Sequence, residues 1–324
     1  MSTTGLNPCF GDANFVVDGL AVYQCSPITK CAGWTRLMCL AMCRSRVDEF
    51  ADLLARSSAA EINAQNDAGF TALILAARNS RFDSHDKAVR LLIHAGAKLD
   101  LQTVLGRTAL HSSASNSRTE SQESTLQLLL QAGADINARA ADGWSPLMIS
   151  ARFTRTTSHD STMQLLLDAG ADVDHQDIDG VSAIMYAAAC VHRESQESTV
   201  QLLLQYGARV DFRERTAAST ALSFYLESET SSTDNLTREP CDGLLQLVRA
   251  SLRFPAVIQP YITAANAASP EGLLFHRACV VIMQQYAERL SERAAFDRAI
   301  VQLAPLSQNL TGSNSTDALV KQYL

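Results

Sequence analysis

LLIHAGAKLD, residues 91–100, returns three more times along the chain with small changes. The copies are LLLQAGADIN at 128–137, LLLDAGADVD at 165–174 and LLLQYGARVD at 202–211, each 37 residues after the one before. A period between about 20 and 50 residues indicates an array of units, in which each unit buries its apolar side only against its neighbours. The sequence therefore predicts a solenoid, whose extended surface favours binding over chemistry in a single pocket.

Each unit opens with a glycine and a short apolar run that Thr or Ser precedes. The four strong copies are GFTAL at 69–73, GRTAL at 106–110, GWSPL at 143–147 and GVSAI at 180–184, and weaker copies start at Thr35 and Thr220. A hydroxyl at this place can accept hydrogen bonds from helix amides that lack partners. The second apolar run of each unit has helical spacing. We therefore predict helix, turn, helix and a tight hairpin in every unit.

The combination of Gly-x-Thr-Ala-Leu, Ala-Ala, Leu-Leu-Leu and Gly-Ala-Asp-x-Asn resembles the ankyrin repeat, whose signature is Thr-Pro-Leu-His-x-Ala in a unit of about 33 residues. The resemblance covers about residues 32–229. It implies an all-α ankyrin solenoid in which hairpin tips and first helices line a concave surface that normally holds a protein partner. It implies no catalytic residues.

The chain divides into three predicted regions. Residues 1–31 form a segment that caps the first unit. The repeats occupy 32–229, with units at 32–67, 68–104, 105–141, 142–178 and 179–216 and a degenerate unit from 217. Residues 230–324 hold the end of the degenerate repeat and a C-terminal helical module that closes the stack.

The units depart from the family length by about four extra residues between their two helices. These inserts share the motif Ser-Gln/His-Glu/Asp, which starts at Ser84, Ser121, Ser158 and Ser195. One interpretation is structural, because Ser accepts amides at a helix start and an acid meets the positive end of the helix dipole. The other is a polar ridge that contacts a partner.

The resemblance also implies where a partner would bind: on the residue after each hairpin glycine and on the end of each first helix. Carried over by alignment, the hairpin residues are Trp34, Phe70, Arg107, Trp144 and Val181, and the helix-end residues include Arg78, Asn79, Asn116, Arg152 and Phe153. Large aromatic side chains and arginines dominate interface energies. The alternative is that Trp144 packs on the adjacent hairpin and Phe153 covers a helix end.

Charge and hydropathy exclude several partners. The formal net charge of −7 argues against nucleic acid, which requires a basic face. The sequence has no uncharged apolar stretch long enough to span a membrane and no secretory leader at its start. We therefore expect a cytoplasmic protein that binds neither nucleic acid nor membrane.

The cysteines give no reason to expect a metal. Eight cysteines are spread through a chain that is large enough to build a core, which favours free thiols. Cys9, Cys25, Cys31, Cys39 and Cys43 cluster near the start but lack the paired spacing and the histidine of a zinc site. We predict no metal and no cofactor.

Enzyme chemistry is not predicted either. His111 falls at the histidine of the family signature, where it is structural, and there is no phosphate loop or catalytic constellation. The predicted function is a non-enzymatic scaffold that binds a protein, as a monomer or as part of a complex. The alternatives are a structural component of a larger assembly and a substrate adaptor of the ubiquitin-ligase type, in which helices near Phe275 and Cys279 form a second docking site.

Overall fold

The computed structural model describes residues 15–17, 20–22, 33–42, 46–79, 83–115, 120–153, 160–190, 197–230, 240–262, 269–286 and 288. Six helix pairs follow one another within these residues. The first helices are α1 (Arg36–Ala41), α4 (Ala72–Arg78), α6 (Ala109–Ser115), α8 (Pro146–Phe153), α10 (Ala183–Ala189) and α12 (Ala221–Thr230). The second helices are α2 (Val47–Arg56), α5 (Asp83–His94), α7 (Glu120–Gln131), α9 (Asp160–Asp168), α11 (Glu197–Gln205) and α13 (Asp242–Ser251). The other elements are strands β1 (Phe15–Val17) and β2 (Leu20–Val22) and helices α3 (Ala59–Ile62), α14 (Pro255–Ile262) and α15 over residues 270–286.

The helix pairs stack in series. Each first helix packs on the first helix of the next unit, from α1 through α12, and each second helix packs on the next second helix, from α2 through α13. One hydrophobic core therefore runs the length of the array, with Leu73, Leu110, Leu147 and Ile184 at equivalent, fully buried positions. The predicted all-α solenoid is confirmed.

The second helices bury one leucine of each pair more deeply than the other. Leu92, Leu129, Leu166 and Leu203 are 0% exposed. The leucines directly before them, Leu91, Leu128, Leu165 and Leu202, are only half-buried. Adjacent residues on a helix point about 100° apart, so only one of them can face the core squarely. A second deeply buried residue lies three positions before each of these fully buried leucines, as Val89 does before Leu92.

Hydroxyl groups cap the first helices as predicted, with one exception. The Oγ1 atom of Thr71 accepts the N–H of Ile74 at 3.1 Å, and Ser145 accepts the N–H of Met148 at 3.3 Å. Thr35, Thr108 and Thr220 make the same bond in their units. Ser182 does not cap α10, and its buried hydroxyl has no hydrogen-bond partner within the described part of the chain.

Hairpins of neighbouring units are joined through their backbones. The N–H of Ala141 donates to the carbonyl of Leu105 at 3.0 Å, and the N–H of Arg215 donates to the carbonyl of Asp179 at 2.8 Å. The same bond joins Val104 to Ala68 and Ile178 to Asp142. These bonds fix the position of each hairpin relative to the next. If one hairpin slid along its neighbour, a backbone N–H group and a carbonyl would lose their hydrogen bond.

In three of the four Gly-Ala-x-x-Asp/Asn motifs, the last residue also ties its unit to the next. The side-chain oxygen of Asp100 accepts the N–H of Asp135 at 3.0 Å, and that of Asn137 accepts the N–H of Asp172 at 2.9 Å. Asn63 and Asp174 make equivalent bonds to Lys98 and Arg209. The requirement for a short side chain with an acceptor oxygen explains why the motif ends in Asp or Asn.

The acids of the inserts form a third link between units. The carboxylate of Asp86 accepts hydrogen bonds from Ser124 and Thr125 of the following unit, the latter at 2.5 Å. Glu123 accepts from Ser161, and Asp160 accepts from Ser198 and Thr199. These bonds support a structural role for the inserts, but the mechanism differs from the predicted one. The acid accepts hydrogen bonds from the second helix of the next unit, whereas the prediction placed it at the positive end of its own helix dipole. The motif's serines lie outside the residues whose side chains are described.

Strands β1 and β2 precede the array, and helices α14 and α15 follow it. Strands β1 and β2 pair antiparallel, with Phe15 opposite Val22, and were not predicted. Helix α15 starts directly after Ser269, whose hydroxyl accepts the N–H of Gly272 at 2.9 Å, and it buries Phe275. Within the part of the chain that the structure describes, no helix has the length and apolarity of a membrane span.

The sixth hairpin lacks the glycine of the other hairpins and is strained. The φ angle of Ala218 is +54°, in the left-handed region. An L residue with a Cβ atom is disfavoured there by about 1–2 kcal/mol. The hairpin is also one residue longer, since Glu214 bonds to Ser219 where Asp177 bonds to Val181.

We expect Ala218→Gly to raise the free energy of unfolding by about 0.5–1 kcal/mol, because relief of the strain exceeds the added freedom of the unfolded chain. Urea unfolding monitored by circular dichroism measures it. Ala217→Gly is the matched control, because Ala217 is equally exposed and has no positive φ. The control should lose stability, and a loss in both variants would contradict the assignment of strain.

Candidate protein-binding surface

The hairpin residue and the helix-end residue lie close together in the second and fourth units. In the second unit, the guanidinium of Arg78 lies 5.9 Å from the centre of the Phe70 ring. In the fourth unit, that of Arg152 lies 5.2 Å from the centre of the Trp144 ring. Both pairs are separated by eight residues in the sequence. We call the surface that these positions form in successive units the hairpin–helix face.

The largest cluster on this face contains three aromatic rings around one guanidinium. Arg152 lies 5.3 Å from the ring centre of Phe153 and 5.8 Å from that of Tyr186, in addition to its contact with Trp144. The rings of Trp144 and Tyr186 are 4.5 Å apart at an interplanar angle of 51°. Cation–π contacts and tilted ring pairs are both favourable geometries. We call Trp144, Arg152, Phe153 and Tyr186 the aromatic–arginine cluster.

Tyr186 was missed because the alignment considered only hairpins and helix ends. Its hydroxyl donates to the carboxylate of Asp177 at 2.5 Å, and burial, followed by this hydrogen bond, raises the pKa of Tyr186. The sequence did contain a signal. The equivalent residues are Cys39, Leu75, Ser112 and Ile149, so this position changes residue type in every unit.

Arg107 of the third unit lies beside Asp142 of the fourth unit. Its guanidinium lies 3.8 Å from the carboxylate of Asp142, which also accepts the N–H of Trp144 at 3.2 Å. Burial lowers the pKa of Arg107, the negative charge of Asp142 raises it, and the positive charge of Arg78 lowers it. An ion pair therefore joins the third and fourth units on the hairpin–helix face.

The other predicted contact residues have different surroundings. Trp34 and Val181 are half-buried on their hairpins. Asn79 is only 9% exposed, so it offers a partner little surface. Asn116 lies outside the described residues.

His111 lies beneath the hairpin–helix face and is 0% exposed. Its Nδ1 atom is 2.9 Å from the hydroxyl of Thr108, and its Nε2 atom is 2.9 Å from the carbonyl oxygen of Trp144 in the next unit. A carbonyl only accepts, so Nε2 carries the proton and Nδ1 accepts. Burial lowers the pKa of His111 to about 4. The hydrogen bond to Trp144 raises this pKa, whereas the positive charge of Arg107 lowers it further.

We expect acidification to destabilise the array through His111. The unfolded chain protonates this histidine near pH 6.5, whereas the folded chain resists protonation until about pH 4. The unfolded state therefore binds more protons in this window, and stability present above pH 6.5 is lost as the pH falls, by about 2 kcal/mol at pH ~5. Urea unfolding of wild type and His111→Gln across this range measures it. Parallel pH profiles for the two proteins would contradict the role of His111.

Hairpin tips and helix α15 both expose large apolar side chains. Val104, Leu105 and Ile178 are 72%, 67% and 56% exposed at hairpin tips. Helix α15 exposes a second group, Leu273, Val280, Met283 and Tyr286.

Of the five cysteines near the start of the chain, the structure describes only Cys39. Cys39 is fully buried in the core of the first unit, and Cys9, Cys25, Cys31 and Cys43 lie outside the described residues. Among the side chains that the structure describes, no group of His, Cys, Asp and Glu is arranged to hold a metal ion.

Comparison with known proteins identifies the repeated unit. A family model described as ankyrin repeats in three copies matches four overlapping stretches, at residues 10–103, 37–140, 80–177 and 120–215. No curated protein matches the chain. The matched stretches contain the hairpins and helix ends that form the hairpin–helix face.

Proposed function

The chain belongs to the ankyrin-repeat family, whose repeats are generally protein–protein interaction modules, and from that premise we propose that it is a non-enzymatic scaffold that binds a protein through its hairpin–helix face. The resemblance drawn from the sequence is thereby confirmed. In the family this face is the concave side of the array.

The aromatic–arginine cluster is the observation that carries the proposal. Four large side chains from the fourth and fifth units meet on one surface, and each remains partly exposed. Aromatic side chains bury a large area, arginine makes bidentate hydrogen bonds, and both kinds of residue are enriched among those that dominate binding. Trp144 packs on Tyr186 of the next unit, which holds the ring in place before a partner arrives.

Affinity capture with the double variant Trp144→Ala plus Phe153→Ala tests the proposal. We expect proteins that wild type captures to be recovered at least about tenfold less, because two central contacts are removed. Tyr206→Ala is the control, since this exposed aromatic side chain lies directly after the second helix α11 and not on the hairpin–helix face. Circular dichroism establishes that all three proteins are folded. Equal recovery by the wild type and the Trp144 and Phe153 variant would overturn the proposal.

Assembly from copies of the chain is the second candidate function, and one observation favours it. Helix α15 leaves Val280 56% and Met283 68% exposed on one side while Phe275 is buried. Exposed apolar side chains of this size often mark contacts between proteins. Light scattering over a range of concentrations separates the candidates, because a mass that stays monomeric contradicts self-assembly.

A further inference from the structure

Helix α15 contacts the last helices of the array through one of its sides. Glu271 accepts a hydrogen bond from the hydroxyl of Thr230, the last residue of α12, at 3.2 Å. Gln285 accepts a hydrogen bond from Arg249 of α13. Phe275, which lies between these two residues in the sequence, is buried. Because residues 271, 275 and 285 fall on one side of a helix, they define the side of α15 that faces the array.

The side of α15 that is turned away from the array is apolar and exposed. It carries Leu273, Val280 and Met283, which we call the outer face of α15. On the second helices α7, α9 and α11, by contrast, all the exposed side chains that the structure describes are polar. They are Gln127, Gln131, Ser161, Asp168 and Gln205. A helix that is apolar all round is normally buried all round, so the outer face indicates a further packing contact.

The sequence after α15 contains a segment with the pattern of a helix that could make this contact. In ERAAFDRAIVQLA, residues 292–304, the apolar residues Phe296, Ile300 and Leu303 recur after four and three residues. This spacing places them on one face of a helix, and Pro305 marks the end of that helix. The segment lies outside the described residues, so this helix is a prediction from the sequence.

Length and connectivity fit a pair of antiparallel helices. Only residues 289–291 separate Glu288 from the segment, and connections of about 2–8 residues are usual between neighbouring helices. At about 1.5 Å per residue, the outer face extends over about 15 Å and a helix of residues 292–304 over about 20 Å. The segment is therefore long enough to cover the face.

The small size of the outer face favours a segment of the same chain over a separate partner. A stable complex of two separate proteins buries about 800 Å² on each of them, which three side chains of one helix do not supply. A segment that is joined to α15 by a short connection has a high effective concentration at the face. A small contact is then sufficient.

We infer that residues 292–304 form a helix that folds back on α15, packs Phe296, Ile300 and Leu303 on its outer face and closes the end of the array. This inference goes beyond the proposed function, since it concerns neither the hairpin–helix face nor its partner. It leaves no outer face for a second copy of the chain, so it opposes self-assembly through α15.

Photo-crosslinking in the full-length chain tests the inference. Val280 is replaced by the photoreactive amino acid p-benzoylphenylalanine, the protein is irradiated, and the products are separated by size and digested for mass spectrometry. We expect the monomer to contain cross-links from position 280 to residues 292–304. The same amino acid at Gln205, which is exposed on α11, is the control and should give no cross-link to this segment. Cross-links between two chains, cross-links only to other residues, or no cross-link at all would each overturn the inference.

Charged substitutions in the segment show whether its apolar face makes the contact. Phe296→Asp plus Ile300→Asp should lower the yield of the cross-link at least about tenfold, because the contact would bury two carboxylates. Ala294→Asp plus Gln302→Asp is the matched control, since it adds the same two charges on the opposite side of the predicted helix. The control should retain the wild-type yield. Equal yields in the two variants, whether high or low, would contradict packing through the apolar face.

Hydrogen exchange provides a readout without the photoreactive group. The amides of residues 296–303 should exchange more slowly in the wild type than in the Phe296→Asp plus Ile300→Asp variant, because a docked helix protects its backbone. Equal exchange in the two proteins would overturn the inference. The same variant should still be captured by partners of the hairpin–helix face, so the proposed function and this inference can fail independently.

Discussion

Gly106→Ala is expected to lower the free energy of unfolding by about 2–5 kcal/mol. The φ angle of Gly106 is +72°, which disfavours a Cβ atom by about 1–2 kcal/mol. A Cβ atom there would also lie 2.4 Å from the backbone nitrogen of Ala141 in the next hairpin. That nitrogen cannot move away without breaking its hydrogen bond to Leu105, so the overlap adds about 1–3 kcal/mol. Urea unfolding measures the sum.

Gly133→Ala is the matched control for this prediction. The φ angle of Gly133 is +89°, but a Cβ atom there would meet nothing within 4 Å. The control therefore contains the backbone strain and omits the clash between hairpins. The difference between the two variants reports how tightly neighbouring units approach. Equal losses would contradict the close contact of consecutive hairpins.

Leu166→Ala is expected to destabilise the chain by about 2–5 kcal/mol, because it opens a cavity in the core between second helices. Leu166 is 0% exposed and lies on α9, which packs on both α7 and α11. In an array stabilised by contacts between neighbours, a weak middle unit also uncouples the units on its two sides. Urea unfolding should therefore show a lower midpoint together with a broader transition.

Leu165→Ala is the control that distinguishes the effect of a cavity in the deep core from the effect of merely losing a leucine side chain. Leu165 occupies the same helix and is half-buried, so its replacement should reduce stability clearly less. An unchanged midpoint for Leu166→Ala, or equal losses in the two variants, would contradict the assignment of the deep core.

The sequence predicted most of the fold because the same unit is repeated along the chain. Four near-identical copies make one local pattern count four times, and the glycine, hydroxyl and leucine positions locate hairpins and helices directly. Links between units were harder to foresee. The bond from Ser198 to Asp160 joins residues of different units, and only their relative placement in space shows it. The strain at Ala218 likewise depends on a backbone angle that the residue type does not reveal.

The candidate surface was predicted less completely than the fold. Alignment placed Trp144 and Arg152 on one face, because both positions have equivalents in every unit. It omitted Tyr186, because it considered only the residue after each hairpin glycine and the end of each first helix. The tyrosine is partly exposed because its hydroxyl reaches Asp177 at the hairpin, a contact that an aliphatic residue cannot make.

Removal of one whole unit tests the central claim, that the chain is a row of units stabilised by their neighbours. Deleting residues 142–178 joins Ala141 to Asp179 in the register of the hairpins. The third and fifth units would then stack directly, through the same contacts that each makes with the fourth. Far-UV circular dichroism should show unchanged helical signal per residue, with cooperative thermal unfolding. A variant that has lost its helical signal, or that unfolds without a transition, would contradict the account.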